Sequence, residues 1–230
     1  MVFRLGKRAR SERYNSRYQM RRRVRQKRVP WYEKKYNAMQ LAHKAYKGVW
    51  YLKGLVNSEM LHIINSSAAN VSNTGTIASL TNIGQGDGIT SRTGNSILVR
   101  NLLIRLTLEQ HATATKTFYR IMLVVDTQQI GDTAPGVTDV LESASTLSSL
   151  DTNEPGRFVV LKNWFTCTDS AGGTTQALEW YTDNLMLHTK YNGTSSSDIQ
   201  RNGIYLLLLS DQATNTPSIN YNVKIGYHDN

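Results

Sequence analysis

Cysteine is almost absent from the sequence, which has one, Cys167, among its 230 residues. A single cysteine cannot form an internal disulfide or a thiolate zinc cluster, so the fold is not expected to depend on an oxidising compartment. No run approaches the roughly 18 apolar residues of a membrane-spanning helix, and the N-terminus lacks the apolar segment of a signal peptide. We therefore expect a protein that is made inside the cell and has no membrane partner.

The patterns of catalytic and metal sites are missing as well. No two of the five histidines stand at metal-ligand spacing, and no GxSxG sequence surrounds a serine. Cys167 has no sequence context that would stabilise a thiolate, which favours a structural thiol. Asp126 and Asp132 flank a loop and could hold a hard cation between subunits, but no ligand motif accompanies them. We predict a protein that is not an enzyme, with no catalytic residue, no metal and no cofactor.

Acidic residues are scarce in the first quarter of the chain. Residues 1–53 contain 17 Lys and Arg against 2 acidic residues, a net charge of +15, and residues 54–230 contain 10 against 15, a net charge of −5. The two parts add up to the +10 of the whole chain. Within residues 1–28 there are 12 basic residues, one acidic residue and almost no aliphatic side chains. This composition predicts a disordered arm over residues 1–30 whose partner is a polyanion.

The basic residues of the arm are the first candidates for nucleic-acid binding. Arginine outnumbers lysine among them, which favours bidentate contacts with phosphate over a tail that only confers solubility. The run over residues 21–28 would serve equally as a nuclear import signal, with an import receptor as a further partner. The predicted nucleic-acid-binding residues of the arm are Arg4, Lys7, Arg8, Arg10, Arg13, Arg17, Arg21, Arg22, Arg23, Arg25, Lys27 and Arg28.

A helix is predicted over residues 31–47, after Pro30, where neither glycine nor proline occurs. Spacings of four and three residues place one stripe on one side of this helix, namely Tyr32, Tyr36, Met39, His43 and Tyr46. Three further candidates for nucleic-acid binding cluster on another face, namely Lys34, Lys44 and Lys47. The alternative is that the helix simply docks on its own domain. We assign residues 31–50 to this amphipathic helix and a linker.

From Gly48 onward the pattern becomes that of strands, and residues 51–230 are assigned to one β domain. Eight strands are predicted, over residues 58–64, 76–83, 96–109, 117–126, 157–168, 176–191, 203–210 and 219–227. The sixth has a break near Asp183 and Asn184. A short helical turn over residues 138–143 is the one helical signal in this region. Eight strands without long helices between them predict two packed antiparallel sheets, as a jelly roll or as another sandwich.

The stretch over residues 84–110 is the longest strand signal. Apolar residues occupy the even positions from Leu102 to Leu108, whereas before them the apolar Ile97 and Val99 occupy odd positions. Because this change exchanges the two faces of the strand, we predict a β-bulge near Arg100 and Asn101. The glycines that precede this strand are read as turn residues rather than as a phosphate-binding loop, because no helix follows them. They are Gly84, Gly86, Gly88 and Gly94.

Four segments carry a resemblance to a known family. They read GQGDGITSRTGNSILVRNLLIR from Gly84, YLKGLVNSEM from Tyr51, YRIMLVVD from Tyr119 and the closing YHDN. In these the chain resembles the single jelly-roll capsid proteins of circovirus-like CRESS-DNA viruses, whose genomes are small, circular and single-stranded, and it is similar to the shell proteins of plant satellite viruses. The resemblance implies an all-β, eight-stranded antiparallel jelly roll with a basic N-terminal arm and a short N-terminal helix on the inner shell surface.

The same resemblance implies a function. By this resemblance we expect a capsid protein that assembles into a T=1 icosahedral homo-oligomer of about 60 copies and packages a single-stranded DNA genome. The expected locations are the virion and the host cell nucleus, and the sequence identifies no host receptor. A satellite-virus-like coat protein that packages single-stranded RNA is the first alternative, and a cellular DNA- or RNA-binding protein is the second. Neutralisation of phosphates by the arm does not distinguish DNA from RNA.

Overall fold

The computed structural model describes residues 37–55, 60–131 and 133–229. The chain divides into two units, one up to residue 57 that contains a helix and one from residue 58 that contains the strands. No helix within the described ranges combines the length and the apolar character needed to cross a membrane.

The helix of the first unit, α1, spans Ala38–Leu55. Its N-terminus is closed by a reciprocal pair, because the backbone N–H of Gln40 donates to Asn37 Oδ1 at 2.8 Å and the backbone N–H of Asn37 donates to Gln40 Oε1 at 3.4 Å. This capping box satisfies donors that have no partner within the helix. The helix confirms the helical prediction from Ala38 to Lys47, and the predicted residues 31–36 lie outside the described residues.

Beyond Lys47 the prediction of a strand-like chain is wrong, because α1 continues through Gly48 to Leu55. A glycine ends a helix readily when it takes a left-handed backbone conformation, and Gly48 is not among the glycines with positive φ. In a helix interior glycine costs only about 1 kcal/mol relative to alanine. That cost is too small to end a helix whose flanking residues continue the pattern.

Replacing Gly48 with alanine is expected to stabilise α1 by about 1 kcal/mol, since the added methyl group meets no atom within 4 Å. A peptide of residues 31–57 should therefore gain helical signal at 222 nm, because isolated helices of this length are marginally stable. The Gly48→Pro peptide is the control and should lose the signal. Equal helicity in the Gly48→Ala and unmodified peptides would contradict a helix through this position.

The second unit contains ten strands and one four-residue helix, α2 (Val137–Val140). The strands are β1 (Met60–Asn70), β2 (Thr76–Ser79), β3 (Ser96–Glu109), β4 (Lys116–Asp126), β5 (Phe158–Asp169), β6 (Thr175–Thr182), β7 (Leu187–Tyr191), β8 (Ile199–Arg201), β9 (Gly203–Ser210) and β10 (Ser218–Asp229). Two differences account for ten strands in place of eight. The predicted strand over residues 176–191 is β6 and β7, which are separated at the predicted break, and the three residues of β8 gave no strand signal.

The strands form two antiparallel sheets. One has the order β1-β10-β3-β7-β8, with β6 also paired to β3, and the other has the order β2-β9-β4-β5. Apart from the β4–β5 and β6–β7–β8 segments, strands that follow one another along the chain lie in different sheets. This interleaving is the jelly-roll arrangement, with β6 and β7 together on one side of β3 and β8 as a short addition. The structure confirms the prediction of an all-β jelly roll.

The predicted β-bulge lies at Arg100. Opposite it, Gly226 pairs with Asn101 whereas the next residue, Tyr227, pairs with Val99, so Arg100 is the extra residue of β3. The bulge moves the buried face of β3 from odd to even positions. A Cβ atom at Gly226 would lie 2.4 Å from the side-chain oxygen of Asn101, so a larger residue there would require that side chain to move.

Two hydrophobic clusters lie on the two faces of the four-stranded sheet. The larger fills the space between the sheets, and β3, β4, β9 and β10 contribute most of it. The smaller covers the opposite face of β4 and β9 with Val140 and Leu141 from the region of α2. Because both faces are covered, all eight residues of β9 are buried. A continuously apolar strand such as β9 is thus covered on both sides, here by the core between the sheets and by the loop region around α2.

Candidate nucleic-acid interface

The predicted nucleic-acid-binding residues fall into two groups in the structure. The twelve basic residues of the arm and Lys34 lie outside the described residues. Lys44 and Lys47 lie on α1, three residues apart on one side of the helix, and both are exposed. The described part of the candidate interface is therefore the surface of α1.

An apolar and aromatic stripe runs along an adjacent side of the same helix. Met39, His43 and Tyr46 follow the predicted spacing, and Trp50 extends it by one turn. The rings of Tyr46 and Trp50 contact each other edge to face, with their centroids 6.2 Å apart. All four side chains are exposed, Met39 to 82%. The helix thus presents cationic groups for phosphates beside aromatic rings on which bases or another protein surface can pack.

Most arginines of the sheet unit, in contrast, contact partners within that unit. Arg92 is fully buried and donates from Nε to Ile83 O at 3.0 Å and from Nη1 to Gly94 O at 2.6 Å. Its Nη2 donates to the carbonyl of Gly193. The guanidinium also lies 4.0 Å from the centroid of the Tyr191 ring. Arg92 therefore joins the glycine-rich loop before β3 to the loop after β7.

This arginine makes no ion pair with a carboxylate of the described residues. Its charge is balanced by carbonyl dipoles and by the face of an aromatic ring. The sequence pattern predicts turns at the surrounding glycines and predicts no role for Arg92. The available signal was an isolated arginine within a run of glycines and small polar residues, where backbone carbonyls approach closely.

Arg157 is held by two carboxylates. It donates from Nη2 and Nε to the two oxygens of the buried Asp126, at 2.9 and 3.1 Å, and from Nη1 to Glu154. The hydrogen bond to Asp126 is the main cause that raises the pKa of Arg157 above its ordinary value. This pairing occupies Asp126, so it is not free to act as the cation ligand considered from the sequence, and Asp132 lies outside the described residues.

Three more arginines are also engaged. Arg105 pairs with Glu179 across β3 and β6 at 2.9 Å, and Arg120 donates to the carbonyls of Thr146 and Ser148. Arg100 donates from Nη1 to the sulfur of Met186. Five of the six arginines that follow residue 58 thus have partners within the sheet unit. The net charge after residue 53 is −5. The sheet unit therefore has much less positive charge available for contacts with phosphates than the N-terminal region has.

Neither a thiol site nor a metal site emerges from the described ranges. Cys167 is on β5, as predicted, and is free and exposed. No group of three or more His, Cys, Asp or Glu side chains within those ranges is placed to hold a metal ion.

Taken with the jelly roll and the basic N-terminal region, comparison with known proteins identifies the class as a viral coat protein. The family described as satellite tobacco necrosis virus coat protein matches residues 34–230, and the chain belongs to this family. The match favours the satellite-virus part of the resemblance noted in the sequence over the CRESS-DNA part. The family also places the protein in the virion.

Two individual proteins illustrate the similarity. The coat protein of Maize white line mosaic satellite virus is 28% identical over 165 residues, which cover 69% of this chain and 75% of that protein. A chain from Desmodium yellow mottle tymovirus aligns with a TM-score of 0.36 at 11% identity, over 76% of this chain and 90% of that chain. The fold assignment rests on the sheet topology of this chain and not on that weak structural alignment.

Proposed function

We propose that this chain is the coat protein of a satellite-type virus, which assembles into a closed shell of about 60 copies and packages single-stranded RNA. The observation that carries the proposal is the family match over residues 34–230 on a jelly-roll fold. The protein acts as a structural component and not as an enzyme.

Each of three segments of the chain has its own task in this function. Residues 1–30 neutralise the phosphates of the genome, the segment from residue 31 to the end of α1 at Leu55 adds contacts through Lys34, Lys44 and Lys47, and the sheet unit builds the shell. The net charge of +15 over residues 1–53 supports this division, because nucleic-acid packaging without base readout needs only a high density of cations.

The proposed genome is single-stranded RNA, whereas the resemblance noted in the sequence implied single-stranded DNA. The preference for DNA came from the resemblance to CRESS-DNA capsid proteins, and the family match supports the satellite-virus alternative instead. Packaging of single-stranded DNA is the second candidate function. A nuclear stage and an import receptor for residues 21–28 belong to that second candidate.

Expression of the full chain with electron microscopy and analytical sedimentation tests the proposal. We expect closed particles of uniform size whose nucleic acid, once extracted, is digested by ribonuclease and resists deoxyribonuclease. If the extracted nucleic acid resists ribonuclease and is digested by deoxyribonuclease, the packaged genome is DNA and not RNA. A chain that remains monomeric at neutral pH and moderate salt, with or without added nucleic acid, would show that it is not a shell protein.

A further inference from the structure

The outer edge of β1 is open. β1 pairs with β10 along its whole length, from Met60 opposite His228 to Asn70 opposite Ser218, without a register shift. On its other side it pairs with no strand among the residues that the structure describes. An edge of this kind presents a row of backbone N–H and C=O groups that can pair with a further strand.

Features that normally block such pairing are missing from β1. Its sequence, MLHIINSSAAN, contains no lysine, arginine, acidic residue, proline or glycine, and its ladder has no bulge. The other sheet edges are protected in different ways. Strands β2 and β8 have only four and three residues. Strand β5 has a register shift against β4 and carries Lys162, and β6 carries Glu179, which is paired with Arg105.

The exposed face of β1 is also partly apolar. Ile64 is 60% exposed and Met60 is 44% exposed, whereas alternate residues such as Leu61 and Ile63 pack against the core between the sheets. A long strand with an open edge and exposed apolar side chains would aggregate if nothing covered it. In a protein that assembles with copies of itself, a strand of a neighbouring copy is available to pair with this edge.

We propose that β1 pairs antiparallel with β1 of a second copy across a two-fold axis, so that the six-stranded sheets of two subunits become one continuous sheet. This inference rests on the proposed function as a self-assembling coat protein. A two-fold contact of this kind uses the same edge on both copies and closes on itself, so the pairing ends with two strands and does not propagate into a fibre. It removes two open edges at once.

The pattern of burial limits the register. A shift by one residue would place exposed side chains opposite core-facing ones, so each residue must face a residue of the same face on the partner strand. Among the registers that meet this condition, one with Ile64 on the axis places Ile64 opposite its own copy and Met60 opposite Ala68. That register matches apolar with apolar side chains and sets His62 opposite Ser66, with no like charges facing each other.

Disulfide trapping tests this contact. In a Cys167→Ser background, which removes the exposed native thiol, Ile64→Cys places two cysteines opposite each other at a Cα separation of about 4.5–5.5 Å, within disulfide range. Mild oxidation of assembled particles should convert most subunits to dimers on non-reducing gels. The matched control is Ser66→Cys, whose two copies lie four residues apart along the paired strands, about 13 Å, and should remain monomeric.

The outcomes separate the inference from the proposed function. Particles that assemble but yield no Ile64→Cys dimers, or that yield more dimers with Ser66→Cys, would overturn the pairing. If the Cys167→Ser protein, like the unmodified chain, forms no particles under any condition, the proposed function fails and the inference that rests on it fails as well.

Discussion

Replacing Arg92 with alanine is expected to destabilise the sheet unit by about 3–5 kcal/mol, an effect large enough to unfold many domains. The substitution leaves the carbonyls of Ile83, Gly94 and Gly193 without their donors in a buried place and creates a cavity beside Tyr191. The two loops that Arg92 joins should separate before the strands do. Urea unfolding followed by tryptophan fluorescence measures the loss.

Two variants make this test specific to the buried guanidinium. Arg92→Lys keeps the charge but has neither the planar fork nor five donors, and we expect it to recover only part of the stability. Arg105→Ala removes an arginine whose pair with Glu179 is 63% and 57% exposed, and it should cost less than about 1 kcal/mol. Equal losses for Arg92→Ala and Arg105→Ala would show that the contacts of Arg92 do not stabilise the fold.

Deletion of residues 1–28 is expected to abolish packaging while the sheet unit still folds. The deletion removes 12 basic residues and one acidic residue, or +11 of the +15 carried by residues 1–53. With about 60 copies the intact arms and helices bring on the order of 900 positive charges, enough to neutralise a similar number of phosphates. Particles of the deleted chain should lack nuclease-protected nucleic acid and show the absorbance ratio of protein alone.

A charge-preserving variant provides the control for the deletion. Changing every arginine within residues 1–28 to lysine keeps the net charge and should retain most packaging, whereas changing them to glutamine should not. Binding by the intact chain should weaken steeply with salt and depend little on base sequence. If the deleted chain still protected a full complement of nucleic acid, Lys34, Lys44 and Lys47 would become the next candidates.

Much of the fold could be predicted because strands such as β3 and β6 alternate between buried and more exposed residues. The phase change between Val99 and Leu102 was enough to locate the bulge at Arg100, and the predicted strand over residues 219–227 lies within β10. The end of α1 could not be predicted, because a glycine within a helix and a glycine that ends one look alike in sequence. The short strand β8 depends on its partner β7 and has too few residues to show a period.

For the site, the sequence identified the basic segments but not the arrangement of the remaining arginines. A count of charges is the same whether a guanidinium is exposed or buried. The sequence therefore could not distinguish the buried Arg92 and the largely buried Arg157 from the exposed Arg105. The identity of the nucleic acid was also beyond reach, because phosphate neutralisation is the same for both sugars. The preference for DNA therefore rested wholly on the resemblance to CRESS-DNA capsid proteins, and the family match supports the satellite-virus alternative instead.

The position of β10 has a consequence for how the chain is made. β10 is synthesised after the other described strands, yet it lies between β1 and β3 within the six-stranded sheet and pairs with both. On the ribosome β1 emerges before its partner, and the six-stranded sheet cannot close until β10 has been made. Under the proposed function, the basic residues 1–28 are synthesised before all of these strands and are available to bind the genome throughout this interval. Capture of the genome can then precede completion of the sheet unit that encloses it.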